Sequence, residues 1–192
     1  MNKKEIKNNN KGFTLVETMV AVLILTLTIV SLMTVVSDSL FAARYARNDI
    51  TAGYLLQEVI DDIRNDRDTS VFLQNTQTID AAWTAFKTKY NNCTLSAGTG
   101  CFYDVVGGYT SPTVCTDTNC RELYYDANAN TTPYYMNDNG TNTGKVKAGF
   151  QRRIVVTING NDEMQIAVTV YWKNGGLSKS RTLTNSILKW QS

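Results

Sequence analysis

Between Phe13 and Val36 the chain reads FTLVETMVAVLILTLTIVSLMTVV and holds a single charge, Glu17. The 19 residues from Thr18 to Val36 carry none. Wound as a helix, they rise about 28 Å, close to the hydrocarbon thickness of a bilayer. A helix that is apolar all round cannot be the surface helix of a soluble domain. It must lie in lipid or inside a bundle of other helices. Upstream stand Lys3, Lys4, Lys7 and Lys11 against Glu5. The positive-inside rule holds that basic end in the cytoplasm and sends everything after Val36 across the membrane.

Two ordinary readings of this segment fit poorly. A cleaved secretory signal has an apolar core of roughly 7–15 residues. This run is longer, although Ser37 and Ser39 imitate the small residues of such a cut site. A plain single-pass anchor has no use for Glu17, since a carboxylate this deep costs a few kcal/mol in lipid and calls for a partner.

Charge and composition narrow the functional classes. The first 12 residues carry a net +3, which leaves −1 on the rest of a 192-residue chain whose total is +2. A body so close to neutral lacks the basic face that nucleic acid requires. There is no histidine, so the commonest general base and metal ligand is missing. No constellation of residues points to catalysis, and the chain is expected not to be an enzyme.

The residues around the start of the apolar run are specific. Lys11-Gly12-Phe13-Thr14-Leu15-Val16-Glu17 resembles the class III signal of type IV prepilins and of type II secretion pseudopilins. The resemblance implies that a membrane-embedded prepilin peptidase cuts after Gly12 and methylates the new amine of Phe13. Lys11 is then the last basic residue of a cleaved leader spanning residues 1–12, and Glu17 the fifth residue of the mature chain. Cutting ahead of the apolar run leaves the membrane helix attached. A glycine at the cut lets backbone approach a catalytic site closely. The amine of Phe13 and the carboxylate of Glu17 are one turn apart. In a filament, Glu17 of one subunit meets the Phe13 amine of its neighbour, the two offset each other's desolvation, and axial register is fixed.

No proline precedes Pro112, so the helix is free to continue beyond Val36. Leu40, Ala43, Ala46, Ile50, Gly53, Leu56, Ile60 and Ile63 recur at spacings of three and four, one face of an amphipathic helix. Gly53 marks a bend or a close contact. A single helix from Phe13 to Arg67 would be about 80 Å long. The expected fold class is α+β and pilin-like: a long N-terminal helix, its first half transmembrane, its second packed on a small antiparallel sheet. The expected divisions are the leader 1–12, an assembly half 13–36, an amphipathic half 37–67 and an exported domain 68–192.

Within that domain, Ala81 to Lys87 reads as a short second helix. Residues 91–149 are polar, with no clear period, and hold all four cysteines: Cys93, Cys101, Cys115 and Cys120. An even number in an exported stretch reads as disulfides. The local pairing Cys93–Cys101 with Cys115–Cys120 is the simplest of three connectivities, and sequence does not choose among them. A zinc site is the competing reading, but no pair has two-residue spacing. Tyr103, Tyr109, Tyr124, Tyr125, Tyr134 and Tyr135 form either an adhesive surface or the cover of a small core, and the second is preferred. Asp126-Ala127-Asn128-Ala129-Asn130 begins like a calcium loop. Thr131 stands where glycine is needed and Asn137 where the bidentate glutamate belongs, so it reads as an Asn-rich turn. No cofactor is expected.

Phe150 to Ile158 reads as a strand, Asn159-Gly160 as a hairpin turn, and Met164, Ile166, Val168, Val170 and Trp172 alternate with polar neighbours. Lys173-Asn174-Gly175-Gly176 turns again, and Arg181 to Leu188 returns as a third strand ending near Trp190. The QEVIDDIR stretch of the helix and VTVYWKNGG before the last strand are similar to PilV-type minor pilins and to the I-type minor pseudopilins of type II secretion. The resemblance implies a structural subunit of a type IV pilus, with a pseudopilus subunit, a tip adhesin or a DNA-uptake pilin as alternatives. The partners it implies are other pilin subunits, the prepilin peptidase, the inner-membrane assembly machinery and membrane lipid before assembly. The location it implies is the cytoplasmic membrane with the N-terminus inside, then an extracellular or periplasmic filament.

Overall fold

The computed structural model describes residues 12–72, 78–95, 99–102, 112–116, 120, 122–126, 134–137 and 145–189. Lys11 and the rest of the leader before Gly12, Tyr103, Tyr109, residues 127–131 and Trp190 lie outside the described residues. A helix α1 runs from Leu15 to Phe72, and a second, α2, from Ile79 to Tyr90. Both are longer than the sequence pattern indicated. Thr78 sets the start of α2: its side chain accepts a bond from the Ala81 amide, and the last turn carries Lys87 and Lys89 where cations suit the helix dipole.

The chain forms two compact units, Met1–Ala43 and Arg44–Ser192. In the first, α1 from Leu15 to Ala43 buries no side chain. In the second, seven strands make one sheet. They are β1 (Cys101–Phe102), β2 (Thr113–Val114), β3 (Glu122–Asp126), β4 (Tyr134–Asn137), β5 (Val146–Asn159), β6 (Glu163–Asn174) and β7 (Leu177–Leu188). The meander β5–β6–β7 is its body. The other edge of β5 is shared by two small arms, β1–β2 near Ile154 and β3–β4 near Val146 to Gln151. Every ladder is antiparallel, and Thr94 adds a parallel bridge to Val156.

The alternation of β6 decides where the core lies. Met164, Ile166, Val168, Val170 and Trp172 are all buried on one face. Ala52, Leu55, Leu56, Val59, Ile60 and Ile63 of α1 close over that face together with Trp83, Phe86 and Tyr90 of α2. The buried helix face differs from the stripe read off the sequence. Leu56, Ile60 and Ile63 are core, but Leu40 and Ile50 are 56% and 58% exposed, and Ala43 and Ala46 are exposed as well. A row stepped by threes and fours drifts round the cylinder. At about 100° per residue, Ile50 stands roughly 150° from the centre of the buried face. The buried row therefore begins at Ala52, with Tyr45 already beside Trp172 about two turns earlier.

Residues 91–149 are more ordered than their composition indicated, since β1 to β4 fall within them. Asp126 ends β3 opposite Tyr134, while Asn137 pairs with Leu123. The two ends of the calcium-loop-like stretch are thus not brought opposite each other.

Candidate functional site

The candidate site is the start of α1. Gly12, Phe13 and Thr14 are non-helical, and the helix begins at Leu15. Thr14 caps it. Its Oγ1 accepts from the Glu17 amide at 3.3 Å, and its carbonyl accepts from the Thr18 amide at 3.2 Å. Thr14-x-x-Glu17 ahead of an apolar run is the capping-box pattern, a local signal that the motif reading passed over. Gly12 has nothing within 4 Å of the position a Cβ would take, and Phe13 is 79% exposed. Both sides of the Gly12–Phe13 bond are therefore open, on non-helical backbone. Glu17 sits exposed in the first helical turn, where a carboxylate is favoured by the positive end of the helix dipole.

The helix behind this point suits an apolar surrounding in two respects. Its mean hydropathy reaches 2.7 over an 18-residue window, none of it buried. Its hydroxyls are also spent internally. Thr18, Thr26, Thr28, Ser31 and Thr34 each donate to the carbonyl three residues back, and Ser37 and Ser39 to the one four back, at 2.8–2.9 Å. Lipid cannot replace a missing hydrogen bond, so a hydroxyl is cheap there only when it is already bonded.

Among the described residues the unit Arg44–Ser192 supplies no second chemical centre of this kind, but two kinds of interaction anchor it. Arg152 on β5 is fully buried and donates to the Leu55 carbonyl at 3.1 Å and to Glu58 Oε2 at 2.7 Å. This ties the sheet to α1 and was not visible in sequence, where Glu58 belongs to the polar side of the helix. Disulfides join Cys93 to Cys101 and Cys115 to Cys120, with Cα–Cα distances of 5.0 and 4.8 Å. The first lies in the main core. The second packs with Phe102 in a separate small cluster.

Of the six tyrosines, Tyr125 and Tyr135 meet at a tilt of 53° with ring centroids 5.4 Å apart, and Tyr135 meets Phe150 edge-on. Tyr135 packs against the core. Burial, with the neighbouring Tyr125, pushes the Tyr135 hydroxyl above its usual pKa.

Comparison with known families matches residues 7–33 to the prokaryotic N-terminal methylation motif. No curated protein and no solved structure gives a significant match. The N-terminal segment thus carries a signal of the type IV prepilin class, as found on pilin-like and pseudopilin subunits. With the apolar helix that follows, it points to membrane anchoring and to assembly with other subunits of that kind.

Proposed function

We infer that the chain is a structural subunit, a minor pilin, of a type IV pilus or a related filament, and a substrate rather than an enzyme. One observation carries the reading: a capped apolar helix starts two residues after an open Gly12–Phe13 bond, with Glu17 in its first turn. In this reading the prepilin peptidase cuts between Gly12 and Phe13 and methylates the Phe13 amine. Lys11 and the other leader lysines hold the cut site on the cytoplasmic side. Glu17 then pairs with the Phe13 amine of an adjoining subunit. The exposed face of α1 from Leu15 to Ala43 exchanges lipid for the helices of neighbours. Two disulfides in the domain support a reading in which it folds in an oxidising compartment. A minor pseudopilin of a type II secretion system would use the same residues in the same way, and the genes beside this one separate the two machines.

Mass spectrometry of the protein from its own host tests the cleavage. The expected N-terminus is a methylated Phe13, and a chain that begins at Met1 or after Ser39 overturns the reading. Glu17→Ala is expected to be cleaved normally and to enter filaments poorly. Normal incorporation of that variant would remove the pairing role.

A further inference from the structure

β7 pairs with β6 over all 12 of its residues without a bulge, and among the described residues nothing pairs with its other edge. Register fixes what that edge offers. The β6–β7 hairpin closes on Gly175 and Gly176, with Gly175 at φ 61°. In such a two-residue connection the flanking pair, Asn174 and Leu177, is hydrogen-bonded. Bonded and non-bonded pairs then alternate. Lys179, Arg181, Leu183 and Asn185 therefore direct their backbone groups to β6. Ser178, Ser180, Thr182, Thr184 and Ser186 direct theirs outward. These five bear hydroxyls and are exposed, while the carbonyl of the sixth outward residue, Leu188 at the strand's end, accepts from Arg67 at 3.2 Å.

Sheet edges are normally defended by proline, by bulges or by inward-pointing charge. β7 has no proline and no bulge. Its two cations are drawn onto α1: Arg181 pairs with Asp49 at 3.0 Å, and Lys179 lies over the Tyr45 ring at 5.8 Å.

The strand is also self-complementary about Thr182. We propose that β7 is a docking edge for a second copy of this chain, paired antiparallel with its own counterpart around a dyad at Thr182. In that register Ser178 faces Ser186 of the second copy and Ser180 faces its Thr184. The hydroxyl contact already present between Thr169 and Thr182, at 2.9 Å, is thereby repeated across the seam as cross-strand hydroxyl pairs. On the opposite face Leu177 meets Ile187, Arg181 meets Leu183 and Lys179 meets Asn185, so no cation faces another. The Asn185 Oδ1 is buried without a partner in the single chain, and the arriving Lys179 ammonium supplies a donor. The pairing is isologous and closes as a dimer.

A dyad between antiparallel strands stands perpendicular to the sheet. It therefore also reverses the helix stretch Ala52–Ile63 that lies on that sheet.

Cross-linking of the full chain tests the pairing. Two batches with different tags are prepared in separate detergent micelles, mixed and oxidised with copper phenanthroline. A hydrogen-bonded antiparallel pair sets Cα atoms about 5.5 Å apart, within disulfide reach. Thr182→Cys is expected to give a mixed-tag dimer by itself. Ser178→Cys and Ser186→Cys are expected to cross-link only with each other. Adding Thr182→Pro to that last pair is expected to abolish the cross-link while the far-ultraviolet spectrum stays unchanged, because the lost N–H is the one facing outward. A Thr182→Cys chain that remains monomeric overturns the pairing. So does cross-linking of Ser178→Cys alone as complete as that of Thr182→Cys.

Discussion

From Leu15 to Ala43 every side chain of α1 is exposed, and its hydroxyls bond to its own backbone. From Ala52 to Ile63 the same helix puts six side chains into a core shared with β5, β6 and α2. The first stretch has its hydroxyls bonded and no side chain packed. The second has packing, and it makes polar ties between elements: Arg152 to Glu58, and Lys89 and Tyr90 of α2 to Asp66. Backbone hydrogen bonding alone therefore makes a helix. What differs is the medium each stretch is built for: lipid or other helices for one, and its own sheet for the other.

Matched truncations break or uphold that contrast. Leu56→Ala removes a side chain that is 1% exposed. It is expected to destabilise the domain by about 2–5 kcal/mol, as for other buried leucines. Leu25→Ala, at a residue 58% exposed, is expected to leave the domain's urea midpoint unchanged in the same detergent. Equal losses at the two sites would show that the two stretches unfold as one cooperative body.

Arg152 sharpens the comparison at the next scale. Arg152→Ala strands the Glu58 carboxylate, while the Leu55 carbonyl keeps its bond within the helix. Because Glu58 keeps 32% side-chain exposure, the expected cost is about 2–3 kcal/mol, below that of a fully buried pair. Arg152→Met fills the space and, with Glu58→Gln, is expected to recover most of the loss. A double-mutant cycle in urea gives the coupling, and additive losses would mean that the ion pair contributes nothing as a pair.

The smallest effect is at alkaline pH and belongs to the domain alone. Burial raises the Tyr135 pKa above 10.0, and the bond to Asp80 raises that of Lys189 above 10.5. A raised folded-state pKa means stability that is complete below the unfolded value and lost as pH climbs through the folded one. Unfolding monitored from pH 9 to 11.5 is expected to show stability falling once pH passes about 10. Tyr135→Phe is expected to flatten part of that decline, and an identical slope in the variant would assign it to other groups.

Much of this was legible in the chain, and the rest was hidden for identifiable reasons. The period-two run from Met164 to Trp172 located β6 and its buried face, because alternation leaves no second choice of face. The helix was legible in extent but not in rotation. Leu40, Ile50 and Leu56 all fit a three-and-four rhythm, and only the sheet beneath selects the row through Ala52, Leu55 and Val59. At Gly53 a Cβ would lie 3.4 Å from Arg181 Nη1, an ordinary van der Waals contact, so no tight approach explains the glycine. Strands β1 to β4 are two to five residues long, too short for any period to show. They are held by β5 and the two disulfides instead. At the candidate site, Gly12, Phe13 and Glu17 were legible through their motif. Thr14 was legible too, had the Thr-x-x-Glu spacing been weighed. The Arg152 tie was not, because no local pattern announces a cation destined for a core.

The seven internal hydroxyl bonds between Thr18 and Ser39 bear on how such a helix travels. A segment whose hydroxyls are already bonded changes phase without trading those hydrogen bonds. If the chain enters a filament as proposed, the Glu17 carboxylate is the group at the start of the helix that needs a counterpart, and the cost of subunit exchange should concentrate in that one contact.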